Sequence, residues 1–330
     1  MKIKFMAAMV LCAFLMVFST SASAQLNFYS VATGGTGGTW YGVWAAGGSV
    51  VNANSDNVRL DVQATGGSLE NVRLLHGKTI SIANTTPDIA YFSYIGEREF
   101  KEANRDMRVI STGNYMPGGY VIVRGDSDIY SMGDMVGKNY RISVGAPGSG
   151  TNVVNTAMLE VLGIEYRSFH LAHSEAATAL MENTIDVFTA LSGIPFPAGT
   201  ELSTRTNVRF IPLSDEEGAK VTAAHPYWML RDLPAGTYDG QDEPVQKLHV
   251  STITLANKEM PADDVYEILN ILFNENHSDW VDAHAVSREY TLQTFRENIE
   301  AGTIMVPLHA GAVKFYKDQG ISLPDELIVD

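Results

Sequence analysis

The sequence predicts an α/β protein built on mainly parallel sheets. Two observations carry this. Short apolar β-like runs alternate with helical periodicities along the chain. One device also recurs: a strand, a turn of Gly, Ser and Thr, then an amphipathic helix.

Taken in order, residues 26–32 read as a strand that ends at Thr33-Gly34-Gly35-Thr36-Gly37-Gly38-Thr39-Trp40-Tyr41. Trp40, Val43, Trp44, Gly47, Val50 and Val51 follow at helical spacing. Residues 58–64 are a second strand, closed by Thr65-Gly66-Gly67-Ser68. The helix after it has Leu69, Val72 and Leu75 on one face and stops at Gly77. A third strand spans 80–83, and Thr85-Thr86-Pro87-Asp88 opens a helix with Pro87 at its first position. Residues 107–112 form a strand, and Gly118-Gly119 breaks the pattern before another at 120–124. The strand at 140–144 runs into Gly145-Ala146-Pro147-Gly148-Ser149-Gly150-Thr151 and a helix bearing Val153, Val154, Ala157, Met158, Val161 and Leu162. Ser174 is read as the cap of a helix through Met181. The strand at 186–191 closes at Ser192-Gly193-Ile194-Pro195, and the strand at 208–213 precedes a capping box of Ser214 and Glu217. Residues 232–246 read as a loop, 249–256 as a strand, and 261–274, 288–299 and 311–318 as helices.

The recurring turns point to a ligand seat. In open parallel sheets, ligands sit beyond the carboxyl ends of the strands. Helix N-termini there present unbonded N–H groups and partial positive charge, which favour an anion. Two lobes with such turns facing each other make a cleft. A carboxylate would be held by backbone N–H groups at residues 37–40 and 148–151, which include Gly37, Gly38, Gly150 and Thr151. Hydroxyls of Thr36, Thr39, Thr65, Ser68, Ser149 and Thr151 would add hydrogen bonds. Gly35, Gly67, Thr86 and Ser192 belong to the same turns, Tyr41 is placed to line the pocket, and Asn71 and Asn152 to orient the ligand.

Composition narrows the function classes. Lys2 and Lys4, an apolar run at 6–18 and Ala22-Ser23-Ala24 read as a secretory leader cut after Ala24. The one cysteine, Cys12, lies within it, so the exported chain has no disulfide, catalytic thiol or cysteine metal site. The formal charge of −15 becomes more negative once Lys2 and Lys4 are removed, which argues against a nucleic-acid or anionic-membrane partner. No serine sits in a Gly-x-Ser-x-Gly elbow. Gly133 to Lys138 is one residue short of a phosphate-binding loop, and from Gly35 the third dinucleotide glycine is replaced by Trp40. His170 with His173, and His277 with His284, match no metalloenzyme spacing and read as surface or structural histidines. These exclusions leave polar turns without a nucleophile, base, metal or cofactor site.

Together, Gly34 to Tyr41, Thr65 to Ser68 with Glu70-Asn71, Asp88-Ile89-Ala90-Tyr91 with Gly96, Gly137-Lys138, Gly145 to Thr151, Ser192 to Pro195 and Leu308-His309-Ala310-Gly311-Ala312 with Tyr316 and Gly320 form an ordered set. That order resembles the TAXI-type solute-binding proteins of tripartite ATP-independent periplasmic (TRAP) transporters, over essentially the whole chain after the leader. Thr86-Pro87 and Asn183 depart from the family pattern. The resemblance implies a two-lobed, type II-like periplasmic binding protein whose lobes, 25–115 plus 247–330 and 116–246, close by hinge motion. It implies a small organic anion as ligand (a dicarboxylate, a 2-oxo acid or an acidic amino acid such as glutamate). It also implies transporter membrane subunits as partner, driven by an ion gradient. A periplasmic sensor docking on a receptor kinase, or an enzyme on the same scaffold, are the alternatives.

Overall fold

A computed structural model describes residues 26–329; the leader and Cys12 lie outside them. The chain runs β1 (Asn27–Ala32), α1 (Thr39–Asn54), β2 (Val58–Gln63), α2 (Ser68–His76), β3 (Ile82–Thr85), α3 (Pro87–Ile95), β4 (Met107–Gly118) and β5 (Tyr120–Arg124). It continues through β6 (Arg141–Ser143), α4 (Gly150–Val161), β7 (Arg167–Phe169), α5 (His173–Met181), β8 (Val187–Ala190), α6 (Pro197–Arg205), β9 (Val208–Phe210) and α7 (Asp215–Ala224). It ends with β10 (Met229–Leu233), β11 (Val245–Asn257), α8 (Ala262–Asn270), α9 (His277–Ala283), α10 (Leu292–Glu300) and α11 (Ala310–Asp318).

Two sheets result. The first has the order β10-β11-β3-β1-β2, with β4 also on β11. β1 is parallel to β2 and β3, and Ala32 pairs with Gln63, so β1 and β2 end level and empty their turns at one edge. The second has the order β7-β6-β8-β5-β9, with β6 parallel to β7 and β8. The long antiparallel pair β4–β11 joins the two, with residues 107–118 against 248–257.

Apolar burial holds each sheet. One core draws on residues from Val31 to Ile110 and from Ile253 to Leu327. Two more draw on Met116 to Val250, together with Trp40. In the first, Trp44, Trp280 and Tyr290 form a fully buried cluster, with Trp280 and Tyr290 ring centroids 5.1 Å apart. Each such side chain contributes roughly 1.5–3 kcal/mol by leaving water.

The alternation is as expected, and the differences have local causes. The third strand lies at Ile82–Thr85 rather than 80–83, because Asn84 and Thr85 pair with Thr254 and Ile253 of β11. β4 continues past Thr112 to Gly118. Gly113 stays in the strand where a Cβ would lie 2.0 Å from Tyr290 Cε1, so the glycine there admits a ring and does not mark a turn. Ser174 is not a cap: α5 begins at His173, and the Ala172 N–H donates to the Glu175 carboxylate at 3.0 Å. The helix expected over 261–274 leaves α-geometry at Ile271 and ends in a π-helical turn, Ile271–Glu275. The segment read as a loop, 232–246, overlaps the last two residues of the edge strand β10 and the first two of β11. β7 and α6 were not expected; both lack a clear apolar period.

Candidate ligand-binding site

Five turns meet between the sheets, and each follows the carboxyl end of a parallel strand: β1, β2, β6, β7 and β8. They enclose a cavity of about 330 Å³. Four lead directly into helices, so the N-termini of α1, α2, α4 and α5 all face it. The backbone explains why. At Gly67, φ is 103° and ψ −151°, a conformation closed to L side chains, and it lets α2 start straight after β2. Ser149 caps α4 through its Oγ, which accepts from the Asn152 N–H at 3.1 Å.

Of the residues expected from the sequence, Gly35 to Thr39, Thr65, Gly67, Ser68, Ser149, Gly150, Thr151 and Ser192 line this cavity. Four do not. Asn71 is fully buried and braces the turns instead: its amide donates to the carbonyls of Thr33 (2.6 Å) and Asn84 (2.7 Å), and its Oδ1 accepts from Thr65 Oγ1 (2.6 Å). Asn152 turns its side chain to His170, 3.4 Å away. Thr86 is buried at the start of α3 and lies off the cavity wall. Tyr41 is half-buried and its side chain lies off the cavity wall.

The lobes touch across the cavity, so the cleft is closed. The Leu69 N–H donates to the Gly148 carbonyl (3.0 Å) and the Ala198 N–H to the Gly37 carbonyl (3.4 Å). The Thr39 N–H donates to Ser192 Oγ (3.2 Å), and Thr39 Oγ1 accepts from the Gly193 N–H (2.9 Å). Gly37 permits the closest approach: a Cβ there would lie 2.2 Å from Ser174 Oγ and 3.3 Å from Ser174 N.

No Lys or Arg lines the cavity. Arg141 is paired with Asp186 at 2.6 Å, Arg124 with Asp126, and Arg167 lies over the Phe169 ring. Positive potential therefore comes from helix ends and amides. The titratable groups in the wall are His173 and Glu175. His173 Nε2 is 3.0 Å from Thr151 Oγ1, and burial pushes its imidazole down to about 4, so it is neutral at physiological pH. Ser68 Oγ is fully buried and has no hydrogen-bond partner in the protein. A buried hydroxyl left unpaired costs roughly 1–3 kcal/mol, which a ligand atom would relieve.

His173, Ser174 and Glu175 also line the cavity, and the sequence did not place them there. They follow the three-residue strand β7, which is exposed or half-buried throughout and carries no apolar signal. Among the described residues no group of three or more His, Cys, Asp or Glu is placed to hold a metal, and no helix is long and apolar enough to cross a membrane.

Two α/β lobes bridged by crossing strands, with helix N-termini ringing the cleft between them, define the fold of two-lobed periplasmic solute-binding proteins. The model of the NMT1-like family matches residues 31–320, and the chain belongs to that family. The fold is similar to that of MatC from Rhodopseudomonas palustris, whose structure holds malate, with 10% identity over 88% of this chain and 98% of that one and a TM-score of 0.58. It is also similar to the ligand-binding component of an ABC-type import system from Staphylococcus aureus with zinc bound, with 11% identity over 88% and 98% of the two chains and a TM-score of 0.50.

Proposed function

We propose that the protein is a periplasmic solute-binding protein that captures a small organic anion between its lobes and delivers it to the membrane subunits of a TRAP-type importer. The observation that carries this is the cavity between the lobes. Four helix N-termini face it, hydroxyls line it, and Ser68 Oγ is buried there without a partner. A carboxylate at this point would take charge-assisted bonds contributing roughly 1.5–3 kcal/mol each. Two or three of these support micromolar binding, about −8 kcal/mol. In this reading the leader is removed after Ala24, the lobes are 25–115 plus 247–330 and 116–246, and β4 and β11 flex as the hinge. The TRAP assignment rests on the motif resemblance from Gly34 to Gly320. The protein needs no cofactor for this role and catalyses no reaction.

A thermal-shift screen of the chain from Gln25 with organic acids and amino acids tests the reading. A ligand at 100 times its dissociation constant stabilises by about 2.7 kcal/mol. If no organic anion raises the melting temperature, the proposal fails.

A further inference from the structure

His173 stands in the cavity wall with one ring nitrogen engaged and the other open. Its Nε2 is 3.0 Å from Thr151 Oγ1. That hydroxyl accepts from the Leu191 N–H at 3.2 Å, and the other acceptor in its reach, the Leu191 carbonyl, is 3.5 Å away. An O–H···O bond is about 2.5–3.0 Å long. The Thr151 proton therefore goes to Nε2. A neutral imidazole that accepts at Nε2 carries its one proton on Nδ1. The ring is neutral, since burial pushes it down to about 4.

Packing fixes the ring. Phe188 and Phe196 lie beside it, their centroids 6.1 and 5.7 Å from its own. Thr151, Leu191 and both phenylalanines come from elements of the second sheet's lobe, as His173 does, so the tautomer is set within one lobe. Nδ1 has no hydrogen-bond partner among the described residues and is not sealed off, and the space that His173 borders is the cavity. It lies on the side where the first lobe arrives: a Cβ on Gly38 would be 3.5 Å from Nδ1. α1 starts after Gly38 with no side-chain cap, and the Trp40 N–H in its first turn has no partner within the helix.

We infer that His173 is a ligand-contact residue that donates its Nδ1–H to an oxygen of the bound solute, and that Thr151 is the positioning residue that fixes this donor. The inference rests on the solute-binding reading and deepens it. The group selected at this point is an acceptor, a carboxylate or carbonyl oxygen. An ammonium in its place would meet the Nδ1 proton and the positive end of α1. A solute oxygen held by His173 of one lobe, beside the uncapped start of α1 of the other, becomes part of the joint between them.

Side-chain nitrogen NMR of the chain from Gln25 tests the tautomer. Isothermal titration with pyruvate, malate, 2-oxoglutarate and glutamate tests the contact. The His173 signals, assigned by their loss in His173→Phe, are expected to show a protonated Nδ1 and a bare Nε2 at neutral pH. Thr151→Val is expected to move the proton to Nε2, and a bound probe to shift the Nδ1 resonance. For the tightest probe, His173→Phe should weaken binding about tenfold. His173→Asn should recover most of that loss, because its amide nitrogen falls near Nδ1. His173→Gln should not, because its amide falls near Nε2. Circular dichroism checks that the variants fold. A proton on Nε2 in the free wild type overturns the inference. So does a His173→Phe variant that binds as tightly as wild type, or equal affinity in the Asn and Gln variants. Each of these leaves the solute-binding reading standing. If neither these probes nor any other organic anion binds, both fall.

Discussion

Thr39 and Ser192 form a lock between the lobes, and breaking it should open the cleft without unfolding either lobe. Thr39 begins α1, whose Val43 and Trp44 pack in the first core, and Ser192 follows β8 of the second sheet. Both are 2% exposed. Thr39 Oγ1 is 3.1 Å from Ser192 Oγ and accepts from the Gly193 N–H at 2.9 Å. Thr39→Val keeps the shape but leaves that N–H buried and unbonded, a cost of about 1–3 kcal/mol. The cost falls on the closed form alone, because water reaches the same N–H once the lobes part. The closed-to-open ratio should therefore drop about 5- to 150-fold, and affinity with it. Cys12 is the only cysteine, so a chain starting at Gln25 has none, and spin labels at Asp61→Cys and Glu182→Cys report the lobe separation by pulsed EPR. Both positions are exposed, one on each lobe. In Thr39→Val the distance distribution should shift to longer separations, with the melting temperature nearly unchanged. If the melting temperature falls and the distances stay put, the bond holds the fold rather than the closed state, and the reasoning is wrong.

Gly37→Val should also hold the cleft open, because its branches reach past the rotatable Ser174 hydroxyl to Ser174 N; the same EPR pair would show loss of the short distance. Lowering the pH from 6.5 toward 4 should favour opening by up to about 1.4 kcal/mol per unit, since a His173 held neutral in the closed form gains a proton on opening. Affinity measured against pH should fall across that window in the wild type and stay flatter in His173→Gln. Lys247 is fully buried, its Nζ bonded to the Ile211 carbonyl, and burial pushes it down to about 7 from 10.5. That difference costs roughly 4 kcal/mol at neutral pH, so stability should rise as pH climbs from 7 to 10.5. Lys247→Met should raise the melting temperature by a few degrees at pH 7 and remove the rise. Gly113→Ala should destabilise by about 1–3 kcal/mol or more, read by urea denaturation, because the methyl enters the buried Tyr290 ring.

The fold was legible where local chemistry and tertiary context agree. Pro87 at the first position of α3, the Ser214–Glu217 box and the Gly77 stop are local signals, and each holds. The ring of turns was legible for the same reason: glycines between a strand and a helix admit tight turns closed to other residues, and β1–β2 register brings two of these turns level. What the sequence could not show is which hydrogen-bonding side chains face inward. Asn71 and Ser68 are three residues apart in one helix, both polar and both fully buried. One spends its groups on Thr33, Asn84 and Thr65, the other on nothing in the protein. Only the placement of three other turns separates a brace from a ligand contact.

The same limit explains α5. Its start carries no glycine signature, because the segment reads Leu171-Ala172-His173-Ser174-Glu175. The carboxylate satisfies the helix end, and the neutral ring fills the gap beside Gly38. The start of α2 is built the same way, with the Glu70 carboxylate accepting from the Gly66 N–H at 2.7 Å. The turn from Gly34 to Thr39 is a closing surface, where Gly37 admits Ser174 and Thr39 engages Ser192. Across the cavity, Ser68 Oγ is buried without a partner against Gly150. The turns before α2 and α4 meet as well, through the Leu69 N–H on the Gly148 carbonyl, so closure draws on both ends of the cavity.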